Sequence, residues 1–135
     1  MPNFKKYIGL KYKKSGLSIE GLDCFGLLHL IYKEMLGVEL PKLNHLGYDR
    51  NWDGSQITEN MYTYWYRVDP PYKMYDGLIF CRYTGSRIAD HIGMYLGDNK
   101  LLHIEEGKTS EIARLMGTSF EDRLYAVMRL KGDDK

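Results

Sequence analysis

The chain has 135 residues, a formal net charge of +1, 44% hydrophobic residues and 27% charged residues. That length suits one domain over residues 1–135 with one continuous core. The near-neutral charge argues against a nucleic-acid binder, which usually shows a basic excess. No run approaches the roughly 18 apolar residues of a membrane span. Met1–Tyr12 has lysines but no apolar stretch and no small-residue cleavage site, so no signal peptide is expected.

In chain order, the first predicted element is a short helix over Asn3–Lys11, with Phe4, Tyr7 and Ile8 on one face. Ser15–Gly21 reads as a loop. Cys24–Leu36 is strongly helical, because Phe25, Leu28, Ile31, Tyr32 and Met35 recur at helical spacing. Gly37 is a natural stop, with Pro41 beyond it. Lys42–Tyr75 is irregular and aromatic, and its spacing allows a helix over Gln56–Trp65. After Asp76-Gly77 the period changes to two. Strands are expected over Leu78–Tyr83, Asp90–Leu96, Lys100–Glu105 and Leu124–Leu130, with a turn at Gly97-Asp98-Asn99. Helices followed by an antiparallel meander make an α+β layout.

The candidate nucleophile is Cys24, at the start of the long helix. Free amide N–H groups and the helix dipole lower a thiol's pKa there, and the thiolate is the reactive species. A cysteine in an apolar helix is more often a small core residue, so position alone decides little. Cys81, in the apolar run Leu78-Ile79-Phe80, is expected to be protected. The two cysteines have no zinc-type spacing, and His29, His45, His91 and His103 form no HExxH. Neither a metal nor an organic cofactor is expected.

His91 shares a strand face with Gly93 and Tyr95, away from Ile92, Met94 and Leu96. Its relation to His103 depends on the turn. A two-residue loop at Asp98-Asn99 pairs Met94 with His103 and puts the histidines on opposite faces. A three-residue loop, Gly97 to Asn99, pairs Gly93 with His103 and makes the histidines diagonal neighbours. His29, within the helix, and His45, in the irregular segment, are weaker candidates.

Three segments resemble the NlpC-type papain-like cysteine peptidases. They are Leu22-Asp23-Cys24-Phe25-Gly26-Leu27-Leu28, Gly37-Val38-Glu39-Leu40-Pro41, and the run from His91 through Gly93, Tyr95 and Gly97 to His103. The resemblance implies a papain-like fold, with the nucleophile at a helix start packed on a small antiparallel sheet. It implies Cys24 as nucleophile, His91 as base and His103 as the residue orienting His91. It also implies Tyr12 as a neighbour of the nucleophile that assists the oxyanion. Asp23 would bind the substrate's ammonium or brace the loop. The implied substrate is a peptidoglycan stem peptide, cut at a γ-D-glutamyl–diaminopimelate bond.

Phe25, where the family commonly has a small residue, resembles the branch found in tail proteins of bacterial viruses. So, more weakly, do Gly107–Arg114 and Arg123–Arg129. That resemblance implies a protein made in the bacterial cytoplasm and carried in a virion tail, with tail-tip proteins as partners. In the implied mechanism His91 takes the Cys24 proton, giving a thiolate–imidazolium pair that attacks an amide carbonyl. Rival readings are a catalytically idle tail module of the same fold and an intracellular amidase or toxin. A lipid-processing acyltransferase of the same superfamily would place its histidine before the cysteine; here the order is Cys, His, His.

The aromatic segment carries the last expectation. Trp52 and Trp65 are candidates for substrate binding, because the segment joins the Cys24 helix to the sheet that bears His91. The plainer reading is that most of these aromatics cover the sheet.

Overall fold

The apolar spacing after Cys24 has its reason in burial: every residue of the helix it forms, α1 (Cys24–Ile31), is buried. In the computed structural model of the protein, residues 3–13, 16–40, 65–81, 83–86 and 89–131 are described. Asp23 caps α1 by accepting a hydrogen bond from the Gly26 amide at 2.6 Å. The helix continues as a π turn over Tyr32–Leu36 and ends at Gly37, whose φ of 68° is the left-handed conformation that glycine adopts cheaply. Its predicted end at Leu36 therefore holds.

The expected helix over Asn3–Lys11 is only a 3₁₀ turn, Lys5–Tyr7. Tertiary contacts dominate there. Tyr7 is buried, and its hydroxyl donates to Glu34 Oε1 at 2.7 Å, tying the N-terminal segment to the middle of the π turn. The loop before Cys24 forms a small antiparallel pair, β1 (Leu17–Ser18) with β2 (Gly21–Leu22). A Cβ on Gly26 would overlap the carbonyl oxygen of Gly16. That glycine lets the loop lie directly on the first turn of α1.

The main sheet has six strands: β3 (Trp65–Arg67), β4 (Gly77–Cys81), β5 (Ala89–Gly97), β6 (Lys100–His103), β7 (Glu111–Arg114) and β8 (Leu124–Leu130). A short helix, α2 (Ser119–Arg123), precedes β8. The order across the sheet is β3-β8-β4-β5-β6-β7, and each adjacent pair is antiparallel. The expected meander is real from β4 to β7. The last strand departs from it by crossing back to lie between β3 and β4. Arg129 of β8 makes a two-pronged ion pair with buried Asp76, just ahead of β4, both contacts at 2.9 Å. A planar guanidinium facing a carboxylate fixes this crossing in a way that apolar contact alone would not.

Both faces of the sheet are covered. On one side Ile79, Ile92, Met94, Leu102 and Met128 pack with Phe25, Leu28 and Ile31 of α1. On the other side Leu78, Phe80, Leu101, Leu115 and Val127 form a second cluster, against which Phe120 of α2 and Tyr95 pack.

Trp65 is the clearest correction to the sequence reading. Expected in a helix and at a substrate groove, it opens β3 opposite Leu130 and is 1% exposed in the α1-side core. Its ring lies 5.9 Å from that of Tyr32, and its indole N–H donates to the Tyr32 hydroxyl at 3.3 Å. A side chain so enclosed presents no face to a substrate. Trp65→Ala is expected to cost about 3–5 kcal/mol, the usual range for truncating a buried aromatic, read as a shift in the urea midpoint. A loss below about 1 kcal/mol would return Trp65 to the surface.

Candidate functional site

The site is built from α1, the β5–β6 hairpin and the segment that brings Tyr12 alongside. Cys24 is the first residue of α1 and is 6% exposed; Cys81 in β4 is 8% exposed. Burial therefore does not separate the two thiols, contrary to the expectation that Cys81 alone would be protected. What distinguishes Cys24 is its place among the first amides of a capped helix.

Asp23, a candidate for substrate binding, is 1% exposed and spends an oxygen on the Gly26 amide. Of the two roles considered, the structure shows the bracing one. Tyr12 pairs in a parallel bridge with Leu22 and packs against the cluster that contains Cys24. With Lys11, Gly107, Lys108, Thr109 and Glu111 it lines an open cleft of about 660 Å³.

The histidine pair depends on the turn, and the turn combines both alternatives. Asp98 and Asn99 form a two-residue connection with φ of 54° and 62°, so Gly97 pairs with Lys100. Two positive φ values fit the tight hairpin turns whose twist matches that of the strands. The register then shifts between Tyr95 and Gly97, leaving Leu96 as an extra residue on β5, so that Tyr95 faces Leu101 and Met94 faces Leu102. This β-bulge has the effect expected of the longer loop. A Cβ on Gly93 would lie 3.2 Å from the Cβ of His103. Gly93 thus clears the space into which the diagonal pair closes, and His91 Nε2 lies 3.1 Å from His103 Nδ1.

Around the pair are groups that the sequence reading missed. Glu111 pairs with His103 across β6 and β7, and its Oε1 lies 3.1 Å from His103 Nε2. Glu105 Oε1 stands 3.7 Å from His103 Nδ1 and is itself held by Lys108 and Arg123. Phe80 and Phe120 wall the rings at 5.8 and 4.8 Å. Glu111 had a usable signal: Glu106-Gly107 can turn a hairpin, and counting back from that turn brings β7 beside β6. Phe120 had none, because a five-residue helix leaves too little periodicity to see.

The surroundings determine the charge state. His91 is pushed well down, to about 3 from an ordinary 6.5, first by burial and then by His103 and Arg123. His103 is also lowered by burial, although Glu105 and Glu111 work in the other direction. Both imidazoles are therefore neutral at pH 7. Burial thus favours the neutral form of His91, and a thiolate–imidazolium pair would have to be held against that by the charge of the thiolate itself.

The structure brings His91 and His103 together. Cys24 belongs to the α1-side cluster, whereas the histidine rings lie with Phe80 and Phe120. β5 serves both sides: Ala89, Ile92 and Met94 enter the α1 cluster, and the register between β4 and β5 slips just before His91. With His91 Nε2 engaged by His103, Nδ1 is the nitrogen left to serve a thiol. His91, His103 and Glu105 offer ligand atoms within 4.8 Å of one another, the one such cluster among the described residues. A hydrogen bond between the two imidazoles occupies the lone pair that a metal would need. His29 is buried within α1. Trp52 and His45 lie outside the described residues.

A Cys-led helix followed by a paired-histidine hairpin can be compared with known proteins. The model of the NlpC/P60 family matches residues 9–129. This chain belongs to the NlpC/P60 family. A gamma-D-glutamyl-L-lysine dipeptidyl-peptidase of Bacillus subtilis (strain 168) is 31% identical over 91% of this chain and 37% of its own length. A probable endopeptidase NlpC homolog of Haemophilus influenzae is 24% identical over 83% of this chain and 51% of its own. The crystal structure of an NlpC/P60 family protein from Bacillus cereus ATCC 10987 superposes with a TM-score of 0.69 at 26% identity, covering 93% of this chain and 37% of that one. The chain thus spans about half or less of the length of these NlpC/P60 relatives.

Proposed function

We propose that this chain is a cysteine peptidase that hydrolyses stem peptides of bacterial peptidoglycan, with Cys24 as nucleophile, His91 as base and His103 orienting the base. The observation that carries this reading is the His91–His103 hydrogen bond, formed in a hairpin that the NlpC/P60 family model spans. In the proposed reaction His91 Nδ1 takes the thiol proton as sulfur attacks an amide carbonyl. The Cys24 amide, aided by Tyr12, stabilises the oxyanion. His91 then passes its proton to the leaving amine, and water hydrolyses the thioester.

The finer assignment is a cut at the γ-D-glutamyl–diaminopimelate bond. The Bacillus subtilis relative, named for a γ-D-glutamyl-L-lysine bond, supports the γ-D-glutamyl side of it. The place of action we propose is a virion tail, with tail-tip proteins as partners; Phe25 after the nucleophile supports that branch.

Incubation of the protein with cell-wall sacculi should release peptides whose masses end at γ-D-glutamate. Masses from a different bond would move the specificity. A second reading is an idle docking module of the same fold. It would be upheld if sacculi are bound and no peptide is released.

A further inference from the structure

The site holds one acceptor whose consequences reach further than its position suggests. Glu111 stands at the outer end of a chain of hydrogen bonds, Glu111 Oε1 to His103 Nε2 at 3.1 Å and His103 Nδ1 to His91 Nε2 at 3.1 Å. A carboxylate only accepts, so the shared proton at the first junction sits on His103 Nε2. A neutral His103 then has a bare Nδ1, which can only accept. The proton at the second junction must therefore sit on His91 Nε2. That leaves the lone pair of His91 on Nδ1, the nitrogen turned away from His103.

The opposite assignment would put a bare His103 Nε2 against a carboxylate, lone pair against lone pair. Glu105 favours that opposite assignment, since it stands on the Nδ1 side of His103. At 3.7 Å it lies beyond hydrogen-bond range, and Lys108 and Arg123 draw on its charge. The outcome is a contest between two carboxylates on one imidazole, decided by distance.

We propose that Glu111 is a positioning residue: by holding the proton of His103 on Nε2, it fixes the base of the site on Nδ1 of His91. The proposal rests on the reading of His91 as the base, and it adds a fourth member that neither the Cys24–His91–His103 motif nor its spacing contains. Glu111 also lines the cleft shared with Tyr12, Lys11 and Lys108.

The test reads the tautomers directly, through nitrogen-15 NMR of the histidine side chains in the full chain. In the parent protein both His91 and His103 should carry their proton on Nε2. Glu111→Ala should convert both into mixtures with the Nδ1-protonated form. Glu111→Gln, whose amide oxygen still accepts, should restore the parent pattern, and Glu105→Ala should leave it in place. Unchanged tautomers in Glu111→Ala, or a switch on removing Glu105, would overturn the proposal. The kinetic counterpart is peptide release from sacculi. Glu111→Ala should lose roughly tenfold in kcat with KM unchanged, because water replaces a half-exposed acceptor only in part. Glu111→Gln should recover most of that loss. The two failures are separable: a parent protein with the expected tautomers and no peptide release defeats the peptidase reading and leaves the relay standing.

Discussion

Cys24→Ala is expected to abolish peptide release from sacculi, and His91→Ala to do the same, each with the melting transition retained. The loss should exceed about 10³-fold, because removing either member of a nucleophile–base pair disables the pair as a unit. Cys24 contributes one small atom to a core held by many larger side chains, so its replacement leaves folding intact. His103→Ala should behave differently. It leaves nucleophile and base in place and removes what holds the base, so a measurable fraction of activity should survive. The assay is mass analysis of soluble peptides from the three variants, each beside a thermal melt. If Cys24→Ala cleaves as well as the parent protein, the chemistry does not pass through this thiol and the docking-module reading takes its place.

The second large effect is on stability rather than rate. The protein should weaken as pH falls below about 6.5, well before its carboxylates titrate. In the unfolded chain His91 takes up a proton near its ordinary 6.5; in the fold it resists until about 3. Across that window the unfolded state binds more protons than the native one, so acid favours unfolding. His91 alone should cost about 2 kcal/mol between pH 6.5 and pH 5, since each unit of the window carries about 1.4 kcal/mol. His103 is lowered as well and adds to the loss. The groups facing the pair do not cancel this: Arg123 acts in the same direction, and Glu105 and Glu111, which oppose it, act on His103 and are themselves partly exposed. Urea midpoints measured from pH 7.5 to 5 should slope downward in the parent protein and flatten in His91→Asn. A level profile in the parent would mean that His91 takes up its proton in the fold as readily as in the unfolded chain, and a stability that falls as pH rises through 7 would mean that it is held charged, as in a resting thiolate–imidazolium pair.

The sequence shows most clearly what repeats. The helix after Cys24 announces itself because one turn after another buries an apolar residue, and Gly37 ends it for a reason visible in the chain. The strands from Leu78 onward are either a short apolar run, as in β4, whose residues are all buried, or partly alternating, as in β5, so β4, β5 and β8 were legible to within a few residues. The small elements were not. β1 and β2 have two residues each, and α2 has five, too few for a period to appear. β7 alternates weakly because it lies at the sheet edge with mostly exposed side chains. Cys24, His91 and His103 were legible as a motif. Their charge states were not, since these follow from burial and from Arg123, far along the chain. Trp65 was misread because an aromatic among polar residues looks the same whether it faces solvent or closes a core.

The extra residue at Leu96 has a consequence for how this hairpin can change. Strand side chains count modulo two, so the tip of the hairpin acts as a parity bit for the site. Straightening the bulge while keeping all its residues would carry His103 to the opposite face and place it opposite Met94, while Ile104 swung the other way out of the core. Deleting Leu96 itself would instead leave a regular two-residue hairpin with Gly93 still opposite His103. The bulge therefore gives the tip one residue of slack: a single deletion there can be absorbed without moving the histidine pair.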